Sequence, residues 1–206
     1  ATSSRELNTI RDAGVDVRVI PGSRGPIFIN IETPTGRIQQ TPQVSDAVDP
    51  GALPPGWRDA RAWVFAPVAA EVRDEWADIP RPDALVALGW QGLLRVLRDG
   101  APVHHLPPGP SPVVRRANLV GVGSDDVDEA TTPAHLAEFM HPGATLLFTD
   151  GVHGGTAYKV GERPDELDAR HWHSIPIQKY VDPVGAGDTF LAAVFAAWVD
   201  PAITSA

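Results

Sequence analysis

Apolar residues in this chain cluster into short continuous runs separated by turn-forming segments. Residues 84–89 read Ala-Leu-Val-Ala-Leu-Gly, an unbroken run of strand length, as a central parallel strand covered on both faces requires. Residues 62–67, 118–122 and 144–149 repeat that type of run and read as further strands. Helical segments are expected between them, around residues 69–77 and from a Thr132-Pro133 cap through Met140. Near the start, Ser3 to Glu6 suits a capping box for a helix that runs to Ala13 and ends at Gly14. Residues 15–20 alternate and predict a strand; residues 27–31 and 37–40 predict two more around a Thr-Pro-Thr-Gly turn. Residues 42–60 and 106–112 are rich in proline and read as loops. Strands alternating with helices predict an α/β fold with a mainly parallel sheet.

The last apolar run, residues 190–199, contains no polar residue or helix breaker and predicts a helix buried on nearly every side. Gly185-Ala186-Gly187-Asp188 stands at its start. The first amides of a helix lack intrahelical partners and the dipole there favours negative charge, so this turn can hold an anion. With no side chain at Gly185 or Gly187, a phosphate can approach the backbone closely. Asp188 has two readings at this point. It is a carboxylate capping the first turn, or a general base beside an anion hole, taking a proton from a hydroxyl while the amides stabilise phosphoryl charge.

Composition narrows the field. A chain of 206 residues, 43% hydrophobic and 21% charged, suits one domain with one sizeable core, residues 1–206. The formal net charge of −9, with no basic cluster beyond pairs such as Arg115-Arg116, argues against a nucleic-acid or anionic-membrane partner. An anionic nucleotide would have to be held locally. There is no cysteine, which excludes disulfides and thiolate metal sites and fits a reducing cytosol. No signal-peptide pattern opens the sequence, and the final apolar run is shorter than the ~20 residues that span a bilayer. His171 and His173 share a side of an extended segment, but no third ligand accompanies them, so a polar strand face is the better reading than zinc. No P-loop and no dinucleotide-binding glycine fingerprint is present.

The nine residues Asp182-Pro183-Val184-Gly185-Ala186-Gly187-Asp188-Thr189-Phe190 resemble, without interruption, the C-terminal signature of the PfkB/ribokinase family of sugar kinases. The resemblance implies a ribokinase-like sheet flanked by helices with a small β lid. It also implies Asp188 as catalytic base and the amides of Gly185, Ala186 and Gly187 as anion hole. Thr149, Gly151 and Gly154 resemble the family's Thr-x-Gly-x-x-Gly turn that lines nucleotide phosphates, at a strand's carboxyl end where open α/β sheets bind ligands. Gly123-Ser124-Asp125-Asp126 stands where the family has Asn-x-x-Glu, which helps position magnesium and phosphate. Asp126 takes the Glu position and Gly123 departs from the Asn, and a solvated helix start is the alternative reading. Asp182 either holds the turn before Pro183 or adds to the charge field around a metal–nucleotide. Residues 26–41 resemble the lid strands, with Asn30, Arg37 and Gln39 as candidates for substrate hydroxyls or as plain solvent-facing positions.

The family resemblance implies ATP and Mg2+, a small sugar or polyol as partner, a cytoplasmic location, and leaves a homodimer open. Residues 66–72 and 90–95 faintly resemble the branch that includes inositol kinases. Family members also carry an N-terminal strand with a Gly-Gly segment and helices beyond the long apolar one, so the chain reads as an incomplete family domain. The rival readings are a nucleoside or vitamin-precursor kinase of the same superfamily and a non-catalytic sensor.

Overall fold

The structure is a computed structural model that describes residues 4–20, 22–33, 36–68, 71–176 and 184–200. It opens with helix α1 (Ser4–Asp12), followed by the antiparallel strands β1 (Ile27–Thr33) and β2 (Gly36–Gln43). Then come β3 (Ala62–Phe65), β4 (Leu85–Gly89), and the short strands β5 (Arg95–Val96), β6 (Ala101–Pro102) and β7 (His104–His105). Helix α2 (Pro112–Arg116), β8 (Leu119–Gly123), α3 (Pro133–Ala137) and β9 (Thr145–Thr149) follow, then β10 (Gly155–Val160), β11 (Leu167–Trp172) and α4 (Ala186–Val199).

The central sheet has six strands in the order β11-β10-β9-β8-β4-β3. Strands β3, β4, β8 and β9 are parallel, and β10 and β11 extend the sheet as an antiparallel hairpin. The fold is thus α/β with a mostly parallel sheet, as the apolar runs predict. Side chains alternate across it. Val86, Leu88, Val120, Val122 and Leu146 face one side, where they pack with Trp90, with Val113 and Val114 of α2 and with Leu136 of α3. Ala87, Leu119 and Leu147 face the other side, where they meet Leu191 and Phe195 of α4. A separate three-stranded sheet, β1-β2-β6, contains the two strands expected within residues 26–41, the candidate lid. It is tied to the chain below by Asp99, which accepts from Arg24 and from the Val44 amide, and by Asp46, which accepts from the Ser23 and Arg24 amides.

Three expectations fail. Residues 15–20 alternate but form no strand; they lead from α1 as extended chain without a ladder partner. The helix expected around residues 69–77 is a single 3₁₀ segment, Asp74–Asp78, held by Trp76, whose indole donates to the Val48 carbonyl at 2.9 Å; residues 69–70 lie outside the described ones. Helix α4 is apolar all round, yet only Leu191 and Phe195, one turn apart, are buried. Its ring of apolar residues reflects composition, and one stripe does the packing.

That stripe needs a flat sheet surface. Gly89 and Gly121 are register partners on β4 and β8, and a methyl group added at Gly121 would stand 3.3 Å from Leu191 Cδ1. Gly121→Val is therefore expected to lift α4 and cost about 1–3 kcal/mol in denaturant unfolding. At the lid base, the Arg24 hydrogen bond, followed by the Val44 amide, holds the Asp99 carboxyl below its usual value. A depressed folded value contributes stability above the unfolded one, near about 3.9, and loses it as pH falls through the folded one. Asp99→Asn should thus melt below the wild type at neutral pH, with the gap in Tm closing as the pH drops below that range.

Candidate functional site at the carboxyl edge of the sheet

The carboxyl ends of β4, β8 and β9 converge with the N-terminus of α4, at the edge where parallel sheets bind ligands. Gly185 is the N-cap of α4 and holds a φ of 79°, a left-handed conformation that costs a residue with a side chain about 1–2 kcal/mol. Its carbonyl accepts the first helical bond from the Thr189 amide at 2.9 Å, and the Thr189 hydroxyl donates to it at 2.8 Å. Among the described residues, no side chain caps this helix. Residues 184–189 are exposed, so the amides of the first turn face open space.

Asp188, in that first turn, is directed back at the sheet: its Oδ1 lies 3.6 Å from where a side chain on Gly89 would begin. The helix start is also fixed laterally. Phe190 stacks on Trp172 with ring centroids 5.2 Å apart, and the Trp172 ring lies against Gly155, its register partner. Gly155 follows directly on the glycine turn that carries Thr149, Gly151 and Gly154. Gly154 has a φ of 94° and its backbone passes so near Trp172 O that a side chain has no room. The aromatic stack thus links the glycine turn to the start of α4. Asp182 lies outside the described residues.

At the end of β8, Gly123 pairs with Thr149, and the space a side chain at Gly123 would enter is bounded by Asp126 Oδ2 at 3.1 Å and Thr149 Oγ1 at 3.6 Å. Asp126 is buried and both its oxygens are engaged by the protein. Oδ1 accepts from Gln91 Nε2 at 2.7 Å and from Arg95 Nη2 at 3.5 Å; Oδ2 accepts from the Gly123 amide at 3.1 Å. A guanidinium within ion-pair distance of one oxygen and donors on both do not fit a direct magnesium ligand. Asp126 serves here as the counter-ion of Arg95. Among the described residues, no group of three or more His, Cys, Asp or Glu side chains is placed to hold a metal ion.

Arg95 was not among the candidate site residues, although it ends the segment 90–95 likened to the inositol-kinase branch. Burial pulls its affinity for a proton below the ordinary guanidinium value, while Asp126, and Asp188 beyond it, push the other way. It remains charged, since arginine does not deprotonate in proteins. Asp188's influence on it places the base candidate and this buried cation in one neighbourhood.

The lid candidates sit elsewhere. Asn30 and Gln39 are register partners on β1 and β2, and Gln39 donates to Asn30 at 2.8 Å, so their amides satisfy one another. Arg37 is on β2 at the turn, opposite Glu32. The structure therefore brings Asp188, Gly185, Ala186, Gly187, Thr149 and Asp126 to one edge and leaves Asn30, Arg37 and Gln39 on a separate sheet. His171, once weighed for zinc, shares a 2.7 Å hydrogen bond with Thr156 on β10. Two grooves of about 540 Å³ lie away from this edge, one at the amino ends of the strands by Arg115 and Arg116, one apolar along β3 by Trp57 and Trp63.

Residues 117–203 match the pfkB family carbohydrate kinases. Among solved structures, the chain resembles a sulfate complex of a pyrophosphate-dependent kinase in the ribokinase family, with a TM-score of 0.70 and 16% identity over 96% of this chain and 70% of that one. A pyrophosphate-dependent ribokinase-family kinase complexed with a pyrophosphate analog and myo-inositol gives 0.67 and 16%, over 96% and 69%. Ribokinase from Giardia lamblia gives 0.58 and 10%, over 91% and 60%. A search of curated proteins finds no match to this sequence. The fold is ribokinase-like. The signature at residues 182–190 lies within the stretch, residues 117–203, that matches the pfkB family carbohydrate kinases.

Gly185→Ala is expected to lower stability by about 1–2 kcal/mol through the strained φ, and to weaken sulfate or phosphate binding in calorimetry because the first-turn amides move with it.

Proposed function

We propose that this chain is a phosphotransferase acting on a hydroxyl of a sugar or polyol, with Asp188 as general base and the amides of Gly185, Ala186 and Gly187 as the anion hole. The observation that carries the reading is the pairing of an uncapped, solvent-open helix N-terminus with a carboxylate in its own first turn, at the carboxyl edge of a parallel sheet. The acceptor hydroxyl gives its proton to Asp188 as its oxygen bonds to phosphorus. The bond from phosphorus to the donor's bridging oxygen breaks, and the amides hold charge on the transferring oxygens. Thr149, Gly151 and Gly154 line the donor side.

The donor is a polyphosphate. The family signature points to ATP with magnesium, while the fold neighbours named as pyrophosphate-dependent make pyrophosphate the second donor to test. The neighbour complexed with myo-inositol, together with the sequence likeness at residues 66–72 and 90–95, favours a cyclic polyol as acceptor, met by lid residues such as Asn30, Arg37 and Gln39. One observation favours the rival sensor reading: Asp126 is taken up by protein donors, where the family's Glu is kept for metal and phosphate.

The test is transfer from ATP and from pyrophosphate, each with magnesium, to myo-inositol, hexoses, pentoses and nucleosides. Transfer that depends on one alcohol is expected. In Asp188→Asn, kcat should fall by about 10²–10⁴ while donor binding persists. Turnover unchanged in that variant would remove the base role, and donor binding without transfer to any alcohol would leave the sensor.

A further inference from the structure

Arg95 is a cation with too little to do. Its side chain is 8% exposed, among buried residues such as Leu94 and Trp90. A guanidinium offers five N–H donors. Among the described residues, its hydrogen bond is the one to Asp126 at 3.5 Å, the limit of the interaction, and its Nε is buried without a partner. Asp126 does not depend on it, since Gln91 and the Gly123 amide approach that carboxylate more closely. Burying a charge with unmet donors is costly, and a packed apolar residue in its place is often as stable or more so. An arginine kept in such a position calls for an acceptor that arrives from outside.

Its position says what kind of acceptor. Arg95 begins β5, one short 3₁₀ turn beyond the end of β4, and its backbone pairs with His105. At the end of β4 lies Gly89, which Asp188 approaches, and Asp188 carries the first-turn amides of α4 with it. The chain then continues from β5 directly into β6 of the lid sheet. The cation therefore stands between the anion hole and the stem of the lid.

We propose that Arg95 binds the phosphoryl donor directly. Its free N–H groups donate to phosphate oxygens of pyrophosphate or of the terminal phosphates of ATP, while Asp126, itself held by Gln91, fixes the guanidinium from behind. Arginine matches this task because its planar fork pairs two oxygens at once. The inference rests on the kinase reading and gives Asp126 a role that needs no metal at its carboxylate: it positions the residue that meets the donor.

The experiment is calorimetric titration of the protein with inorganic pyrophosphate and with ATP. It compares wild type, Arg95→Lys, Arg95→Met and the double variant Arg95→Met/Asp126→Asn, which leaves no orphaned carboxylate. Melting curves run alongside. Arg95→Met should weaken donor binding at least about tenfold, as loss of a charged hydrogen bond implies. Arg95→Lys should recover part of it, and the double variant should melt no lower than wild type while still failing to bind. Asp188→Asn should bind the donor at least as tightly as wild type does, which separates the two residues. Binding within twofold of wild type in Arg95→Met or in the double variant would overturn the proposal and leave the kinase reading standing. A wild type that binds neither donor would remove the kinase reading and the role of Arg95 with it.

Discussion

Everything at the carboxyl edge depends on how closely α4 approaches the sheet. Leu191 settles over Gly121, and Gly89 beside it leaves room for the Asp188 carboxylate. Two glycines side by side on adjacent parallel strands are poor strand formers, and they are tolerated because β4 and β8 are flanked by apolar neighbours on both faces. The helix has no other deep anchor among its described residues than Leu191 and Phe195. Depth at one contact thus determines where the base candidate and the open amides stand.

A second constraint runs from the sheet to the lid. The segment after β4 turns once, passes through Arg95, and becomes the strand that completes the lid sheet. Gln91, Asp126 and Arg95 fasten that segment to the end of β8, while Asp99 and Asp46 fasten the far side of the lid stem through exposed hydrogen bonds. The buried fastening is short in donors satisfied and the exposed one is open to water. Lid and site therefore share a connection that a ligand can tighten, since an anion reaching Arg95 would complete what the protein leaves incomplete.

How much of this was legible in the sequence follows the reach of each signal. The strands at β4, β8 and β9 were readable because a strand buried on both faces must be apolar at every position, whatever surrounds it. The signature at residues 182–190 was readable because the residues proposed as anion hole and base are contiguous in the chain. Residues 15–20 misled because alternation describes a side-chain pattern, whereas a strand also needs a partner ladder. Helix α4 misled in the opposite sense: uniform apolarity hides which face packs, and the answer lay in two glycines some 70 and 100 residues away. Asp126 could be aligned with the family's acidic position, but only folding showed that Gln91, Arg95 and Gly123 had already claimed it. Arg95 ended a segment the sequence had marked, but its role was not legible there, because its missing partners are a property of three dimensions.

Charge completes the picture. The chain carries a formal net charge of −9, and the edge itself gathers Asp126, Asp150 and Asp188, so a polyphosphate would meet repulsion both at a distance and on arrival. Ionic screening removes much of the distant part, since the Debye length is about 8 Å at physiological salt. What screening cannot remove is the local field. There the protein offers the amides of one helix turn and one guanidinium held out of water, where the same charge acts more strongly than on the surface. Helix amides alone contribute about half a charge. A buried arginine with donors to spare adds a full positive charge to that half, which is why its incomplete pairing reads as preparation for an anion and not as an error of packing.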